Sequence, residues 1–320
     1  MAANVTVASV NFTPVWKDTA ATLEKMRANI VEAAGQGADI VLFPEGALRG
    51  CGSCADCAAA KGPCAGHLAD AETVPGPSTE AILELAQEHD LYVIFGMPER
   101  DATVPDRLYN AAAVVGPEGI LGTYRKVHLG TLPWVTEGLT YTPGVELPLF
   151  PTRFGPIGVQ ICYDFYFNPE LTRILALKGA QMILCPVGSF AAPGRPDSMR
   201  ATALARAQEN LVYVALSNSV GGPGKHPAGY SGEALTQGLR PDQYVGHSMI
   251  AGPAFPRFGE IMAEAGEMEE IVMATLNLDR LERFTTVFDY RDWRRNRLHS
   301  ASQLVADEFA KLAADENVNP

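Results

Sequence analysis

Between residues 5 and 12 the chain is β-branched and apolar at alternate positions, the two-residue period of a strand with one face on a core. Asp18 then stands as a helix N-cap. Leu23, Met26, Ile30 and Ala34 recur at helical spacing until Gly35 and Gly37 end the run. The short apolar block 38–43 reads as a second strand, and 78–89 as a helix with Ile82, Leu85 and Ala86 on one face. Residues 91–97 and 109–116 read as strands, and Gly116-Pro117-Glu118-Gly119 is a turn leading into a strand-like stretch over 120–128. The second half repeats this outline. It predicts a strand over 157–162, a helix over 169–178 with Pro169 in its first turn, a strand over 181–186, a helix over 197–210 and a strand over 211–218. Further strands are expected at 247–252, 260–265 and 271–278. Two successive β-α-β-α-β units with no Ser/Gly linker between them predict one domain, and the pattern alone licenses α/β or α+β.

Three of these strands end in groups that carry chemistry. The run Gly158-Val159-Gln160-Ile161 delivers Cys162 to a strand-to-loop corner, followed at once by Tyr163-Asp164. Such corners expose catalytic groups more often than they bury them. Ile40-Val41-Leu42-Phe43-Pro44-Glu45 ends in one carboxylate, and Tyr124-Arg125-Lys126-Val127-His128 carries one amine. A thiol, a carboxylate and an ammonium are the parts needed to hydrolyse a carbon–nitrogen bond through a covalent intermediate. Taken singly, each has a plainer reading. A lone cysteine near a strand is more often a small core hydrophobe, the reading given to Cys185 in Ile183-Leu184-Cys185-Pro186. Glu45 would then cap a turn and Lys126 would be half of a surface ion pair. His128, two residues from Lys126, raises a Cys–His dyad as an alternative. Ser231 and Ser248 have no nucleophile-elbow context, and Gly221-Gly222-Pro223-Gly224 lacks the strand-to-helix setting of a phosphate loop.

Phe43-Pro44-Glu45, Tyr124-Arg125-Lys126-Val127-His128-Leu129 and Gly158-Val159-Gln160-Ile161-Cys162-Tyr163-Asp164 resemble the three signatures of the nitrilase superfamily of carbon–nitrogen hydrolases. Their order and separations, 81 residues from Glu45 to Lys126 and 36 more to Cys162, are also similar. Arg206-Ala207-Gln208-Glu209-Asn210 and Gly246-His247-Ser248-Met249-Ile250 look like later landmarks, so the resemblance covers residues 4–300. It implies a four-layer α-β-β-α sandwich in which two mixed sheets pack face to face. It further implies Cys162 as nucleophile, Glu45 as general base, and Lys126 with the Tyr163 backbone N–H as oxyanion donors. Glu137, eleven residues after Lys126, would be a second glutamate that supports the lysine, and His128 would be structural.

The residues after the cysteine bear on substrate. Tyr163-Asp164 is similar to the amidase and carbamoylase branches rather than to nitrile-cleaving members. Phe165, Phe167, Phe190 and Trp134 would line an apolar pocket, with Tyr163 and Ser189 contacting substrate. An amide of a small molecule, cleaved to release ammonia or an amine, is the first reading. An N-carbamoyl amino acid is the alternative, with Arg195 or Arg200 as the cation for its carboxylate; a nitrile or a non-catalytic metal-binding relative ranks lower.

Composition narrows the partners. A chain of 320 residues, 47% hydrophobic and 19% charged, can bury a sizeable core, and its net charge of −12 argues against nucleic acid or an anionic membrane. No run of apolar residues is long enough to span a bilayer, and the first residues do not read as a secretory signal, so a cytoplasmic enzyme is expected. The domain is expected to fill residues 1–300. Residues 301–320 would be a C-terminal extension, and the aromatic and arginine-rich stretch 288–296 an arm reaching a second copy in a homodimer or higher homo-oligomer. Six cysteines are unevenly spread: Cys51, Cys54, Cys57 and Cys64 crowd together, with His67 close by. Their spacing has the flavour of a metal loop, but structural zinc sites usually pair two CxxC units across a longer gap. The expectation is therefore a metal-free surface loop that lengthens the connection after Glu45 and borders the pocket mouth, with no cofactor.

Overall fold

The computed structural model describes residues 4–50, 54–130, 137–222, 240–287, 302–312 and 314. Alternation at the start of the chain becomes β1 (Asn4–Asn11), and Asp18 caps α1 (Thr19–Gly35) by accepting from the Ala21 N–H. There follow β2 (Ile40–Leu42), the short helices α2 (Ala55–Ala60) and α3 (Ala65–Asp70), and α4 (Pro77–His89). β3 (Tyr92–Arg100), β4 (Leu108–Gly116) and β5 (Gly119–Arg125) form an antiparallel meander. After α5 (Glu137–Thr140) come β6 (Leu149–Thr152), β7 (Gly155–Val159), α6 (Tyr163–Phe167), α7 (Pro169–Lys178), β8 (Met182–Val187), β9 (Phe190–Ala191) and α8 (Arg195–Asn210). The series continues through β10 (Tyr213–Asn218), β11 (Val220–Gly221), β12 (Arg240–Val245), β13 (Met249–Gly252), β14 (Glu260–Glu264), β15 (Glu270–Asn277) and α9 (Leu278–Val287).

Two mixed six-stranded sheets result, ordered β15-β1-β2-β3-β4-β5 and β14-β13-β10-β8-β7-β6. Strand alternation gives each sheet two apolar faces. In the first, Ala8, Val10, Val41, Val93 and Phe95 pack with Met26 and Ile30 of α1 and with Ile82 and Leu85 of α4. In the second, Ile183, Cys185, Val214, Leu216 and Met249 pack with Leu175 of α7 and with Met199 and Ala203 of α8. The inner faces meet where β1 approaches β10. Small residues permit that closeness, and their hydroxyls are satisfied across the gap: Ser9 Oγ donates to Leu216 O at 2.6 Å and Ser217 Oγ to Val10 O at 2.7 Å. The order of layers is helix, sheet, sheet, helix, as the resemblance implied. A smaller sheet, β11-β12-β9, carries Phe190, whose ring stacks on Tyr244 with centroids 5.1 Å apart.

The residues Met1–Leu278 form one compact unit and Asp279–Pro320 a second. In the second unit residues 302–312 are helical and leave Leu304, Val305, Phe309 and Leu312 exposed. The arm stretch 288–296 lies outside the described residues. No described helix is long and apolar enough to cross a membrane.

Several boundaries depart from expectation. β7 ends at Val159, so Cys162 sits beyond the strand on a corner of its own. β5 ends at Arg125, because the N–H groups of Val127 and His128 are taken by a side chain rather than by a neighbouring strand. The cysteine segment is not a bare loop. Six-residue helices carry too little periodicity to be read against that Ala- and Gly-rich background.

Candidate active site

Glu45 follows β2 on a tight turn. Phe43 N–H still pairs with Ile94 O of β3 at 2.8 Å, and Gly96 N–H then donates to Pro44 O at 3.1 Å. A Cβ on Gly96 would lie 2.3 Å from the Gly46 nitrogen and 2.5 Å from Pro44 O, so only glycine lets β3 run this close beneath the carboxylate. Lys126 follows β5. Its N–H donates to Asn110 O and its carbonyl accepts from Gly144, both at 2.8 Å, which fixes the backbone while the side chain turns inward.

Buried to 3% exposure, the ammonium donates to Glu45 Oε1 at 2.7 Å and to both oxygens of Glu137 at 2.9 Å. Asn110 Nδ2 contacts both acids, at 2.8 Å from Glu45 Oε1, and Gly130 N–H donates to Glu137 Oε2. Burial alone would lower the lysine pKa. The charges of Glu137 and Glu45 outweigh it and raise the pKa well above the ordinary value, so Lys126 stays protonated.

Cys162 adopts φ 42°, ψ −92°, a conformation that is costly for a residue with a Cβ. Its N–H donates to Pro186 O at 3.0 Å, and α6 starts at the next residue. The Tyr163 N–H therefore lies in a first helical turn, where no intrahelical carbonyl claims it. Burial first, and the Glu45 charge second, push the Cys162 thiol up to about 12, against a smaller opposing pull from Lys126. At rest the sulfur is a thiol, and it needs a base. Cys185, by contrast, is fully buried in the second core, the reading given from sequence.

Asp164 ties the two halves together. Fully buried, it accepts from Tyr124 OH at 2.6 Å, Val127 N–H at 3.1 Å and His128 N–H at 2.8 Å. The backbone just after Lys126 is thereby pinned to the helix that begins just after Cys162. His128 Nδ1 lies 2.9 Å from the same carboxylate and is absent from the pocket wall, as its structural reading required.

Glu45, Lys126, Glu137 and Cys162 converge on one cavity of about 250 Å³, which Tyr163, Ser189 and Phe190 also line. Trp134 lies outside the described residues. Phe167 reaches the cavity, whereas Phe165 is buried in the second core. Of the two arginines weighed for a carboxylate, only Arg195 faces the cavity; Arg200 is held by Glu264 and Asp197. Arg195 donates to Ser189 Oγ at 2.7 Å and sits 4.3 Å from the Tyr166 ring centroid, and among the described residues no carboxylate pairs with it. Sequence reasoning missed Asn110, Tyr166, Tyr141 and His67 in the wall. Asn110 left a signal, one amide near the start of the otherwise apolar run of β4.

The metal reading weighed for the cysteine loop has a geometric counterpart among the described residues. α2 and α3 bring one ligand atom each from Cys54, Cys57, Cys64 and His67 to within 4.8 Å of one another. Cys51 lies outside the described residues.

The carbon-nitrogen hydrolase family profile matches residues 6–285. Omega-amidase NIT2 of Danio rerio is 32% identical over 301 residues, 91% of this chain and 95% of the relative. A protein named nitrilase from Pyrococcus abyssi is 33% identical over 269 residues, 84% of this chain and 87% of the relative. Among solved structures, Nit3 of Saccharomyces cerevisiae, a nitrilase superfamily member, superposes with a TM-score of 0.72 at 26% identity, covering 90% of this chain and 95% of its own.

Proposed function

The chain belongs to the carbon-nitrogen hydrolase family, and from that premise we propose that it hydrolyses the amide of a small molecule bearing a carboxylate at its far end. The observation that carries the carboxylate is Arg195, a pocket cation with no carboxylate partner among the described residues. Omega-amidase is also the name of the relative from Danio rerio. A guanidinium in the pocket wall matches a carboxylate in charge and in planar geometry, which fixes one end of the substrate and leaves the amide to reach Cys162.

In this reading Glu45 takes the Cys162 proton as the sulfur attacks the amide carbon and the carbonyl π pair moves onto oxygen. The three protons of the Lys126 ammonium are all directed at carboxylate oxygens in the resting site. Protonating Glu45 weakens its hold on one of them, so the step that activates the nucleophile also releases a donor for the oxyanion. Tyr163 N–H supplies a second donor, and each such donor contributes on the order of 3 kcal/mol. The tetrahedral species collapses, the carbon–nitrogen bond breaks, and Glu45 passes its proton to the leaving nitrogen, giving ammonia and a thioester. Water then attacks the thioester. Glu45 accepts the water proton, and the sulfur leaves and recovers a proton from it. Glu137 acts through Lys126 as a positioning residue.

The reading includes a homodimer, for which the exposed Leu304, Val305, Phe309 and Leu312 supply apolar surface. Ammonia release from succinamate, propionamide, N-carbamoylalanine and butyronitrile tests the substrate assignment. Succinamate is expected to be the best of the four. Arg195→Met should raise its KM by about 10- to 150-fold, the loss of a charge-assisted hydrogen-bonded pair, and leave propionamide nearly unaffected. Equal effects on both amides would defeat the assignment, and fastest turnover of N-carbamoylalanine with release of carbon dioxide would favour the carbamoyl alternative.

A further inference from the structure

The catalytic reading gives no part to the cluster on α2 and α3. Cys54 and Cys57 are separated by two residues, six more lead to Cys64, and two more to His67. The ligand pairs are therefore 54 with 57 and 64 with 67, two short hooks of equal span. Grouping Cys51 with its neighbours hides this division.

Three of the contacts approach the spacing of one small ion's coordination shell, and all four ligand atoms lie within 4.8 Å of one another. Cys54 Sγ and Cys64 Sγ are 3.8 Å apart, and His67 Nδ1 is 3.2 Å from Cys57 Sγ and 3.3 Å from Cys64 Sγ. Tetrahedral bonds of about 2.3 Å to sulfur and 2.0 Å to nitrogen give ligand separations of about 3.8 Å for two sulfurs and about 3.5 Å for sulfur and nitrogen. A disulfide needs about 2.05 Å between sulfurs, and Cys54, Cys57 and Cys64 are all free thiols. Backbone donors face two of the sulfurs. Cys64 N–H donates to Cys57 Sγ at 3.3 Å, and the N–H groups of Gly66 and His67 are directed at Cys64 Sγ.

We propose that Cys54, Cys57, Cys64 and His67 bind one Zn²⁺ in a closed structural site that braces the pocket wall carrying Glu137. Three thiolates and one imidazole complete a four-coordinate shell with no open position, so the ion holds structure and does not activate water. Soft thiolates select zinc over magnesium or calcium. Ligation by Nδ1 puts the imidazole proton on Nε2. Arg49 Nη1, now 2.9 Å from Nε2, can only donate. It must therefore withdraw towards Asp70, with which it already pairs, when the metal enters.

The bracing follows from the neighbours. Thr140, the last residue of α5, hydrogen-bonds Cys57, and the His67 ring meets Tyr141 edge-on with centroids 6.0 Å apart. α5 begins with Glu137, and Tyr141 N–H donates to Glu137 O at 2.9 Å. One ion thus links the segment leaving the Glu45 corner to the helix that presents the second acid.

The test uses the full-length chain, purified reduced and without a polyhistidine tag. Zinc by mass spectrometry should be about one per chain. Zinc should persist in Cys162→Ser and Cys51→Ser and be lost in Cys57→Ser and His67→Phe. Should those variants fail to fold, adding Co²⁺ to zinc-stripped wild type should give the intense visible bands and thiolate charge-transfer absorption of tetrahedral cobalt. Removal of zinc should lower the melting temperature and kcat together. The proposal is overturned if the folded, reduced wild type takes up neither ion stoichiometrically, if cobalt gives only weak octahedral bands, or if Cys162→Ser abolishes binding. Metal content is read independently of turnover, so a wrong substrate assignment would leave this result untouched.

Discussion

Replacing Glu137 by Gln removes one charge while nearly preserving shape, and its effect follows from how many counter-ions Lys126 keeps. In the resting site the ammonium contacts Glu45 once, at 2.7 Å, and Glu137 twice, at 2.9 Å. When Glu45 takes the thiol proton it becomes neutral, and Glu137 alone balances a lysine that is 3% exposed. In Glu137→Gln the same transfer strands the ammonium without a carboxylate. Leaving a buried charge unpaired costs about 3–5 kcal/mol, and the developing oxyanion offsets part of that. The lower bound, about 3 kcal/mol, corresponds to roughly a hundredfold loss in kcat at 1.36 kcal/mol per decade. Substrate binding through Arg195 is not touched, so KM should hardly move. Steady-state ammonia release over a range of amide concentrations separates the two, with circular dichroism to verify the fold. A variant that keeps more than a tenth of wild-type kcat, or that loses affinity instead, would refute the argument that Glu137 serves as the standing counter-ion.

Two further outcomes follow from the same geometry. The Glu45 charge is among the causes that hold the Cys162 thiol near 12, so Glu45→Gln should shift the pH profile of iodoacetamide alkylation to lower pH even as amide turnover collapses; an unchanged or alkaline-shifted profile would falsify the electrostatic assignment. Asp164→Asn replaces one acceptor oxygen by a donor facing the Tyr124 hydroxyl and two backbone N–H groups. It should destabilise the chain by about 3 kcal/mol, read from the urea midpoint, and a midpoint within error of wild type would count against the tie between the lysine and cysteine segments.

Much of this arrangement is legible in the chain itself, and the limits have physical causes. β1 and α1 declare themselves because alternation and helical spacing run long enough to be distinct, and Asp18 marks the boundary chemically. Glu45, Lys126 and Cys162 stand out because each follows a regular strand, whereas Glu137, which opens α5, is found only through the family resemblance. What stays hidden is set by tertiary contact. Nothing local to 126–128 says that Asp164 will claim its N–H groups and stop the strand. Nothing near Arg195 and Arg200 says which will meet Glu264 and which will face the cavity. Phe165 and Phe167 differ by two positions and opposite fates, since α6 is a single helical turn that turns one ring to the core and the other outward. Cys54, Cys57, Cys64 and His67 are legible as candidate ligands, but their division into two pairs is not, because it crosses two helices too short to be read in advance.

The acids and the amine are carried by the β2 to β5 side of the molecule, whereas the sulfur stands at the end of β7 in the opposite sheet. β15, which comes late in the chain, forms the edge of the first sheet by pairing with β1 along eight residues. A ribosome that has released only the early strands therefore holds an inert half-catalyst. Amide hydrolysis becomes possible only at the closing of the two leaves, after nearly all of the polypeptide has emerged, because only then do Glu45 and Lys126 stand beside Cys162.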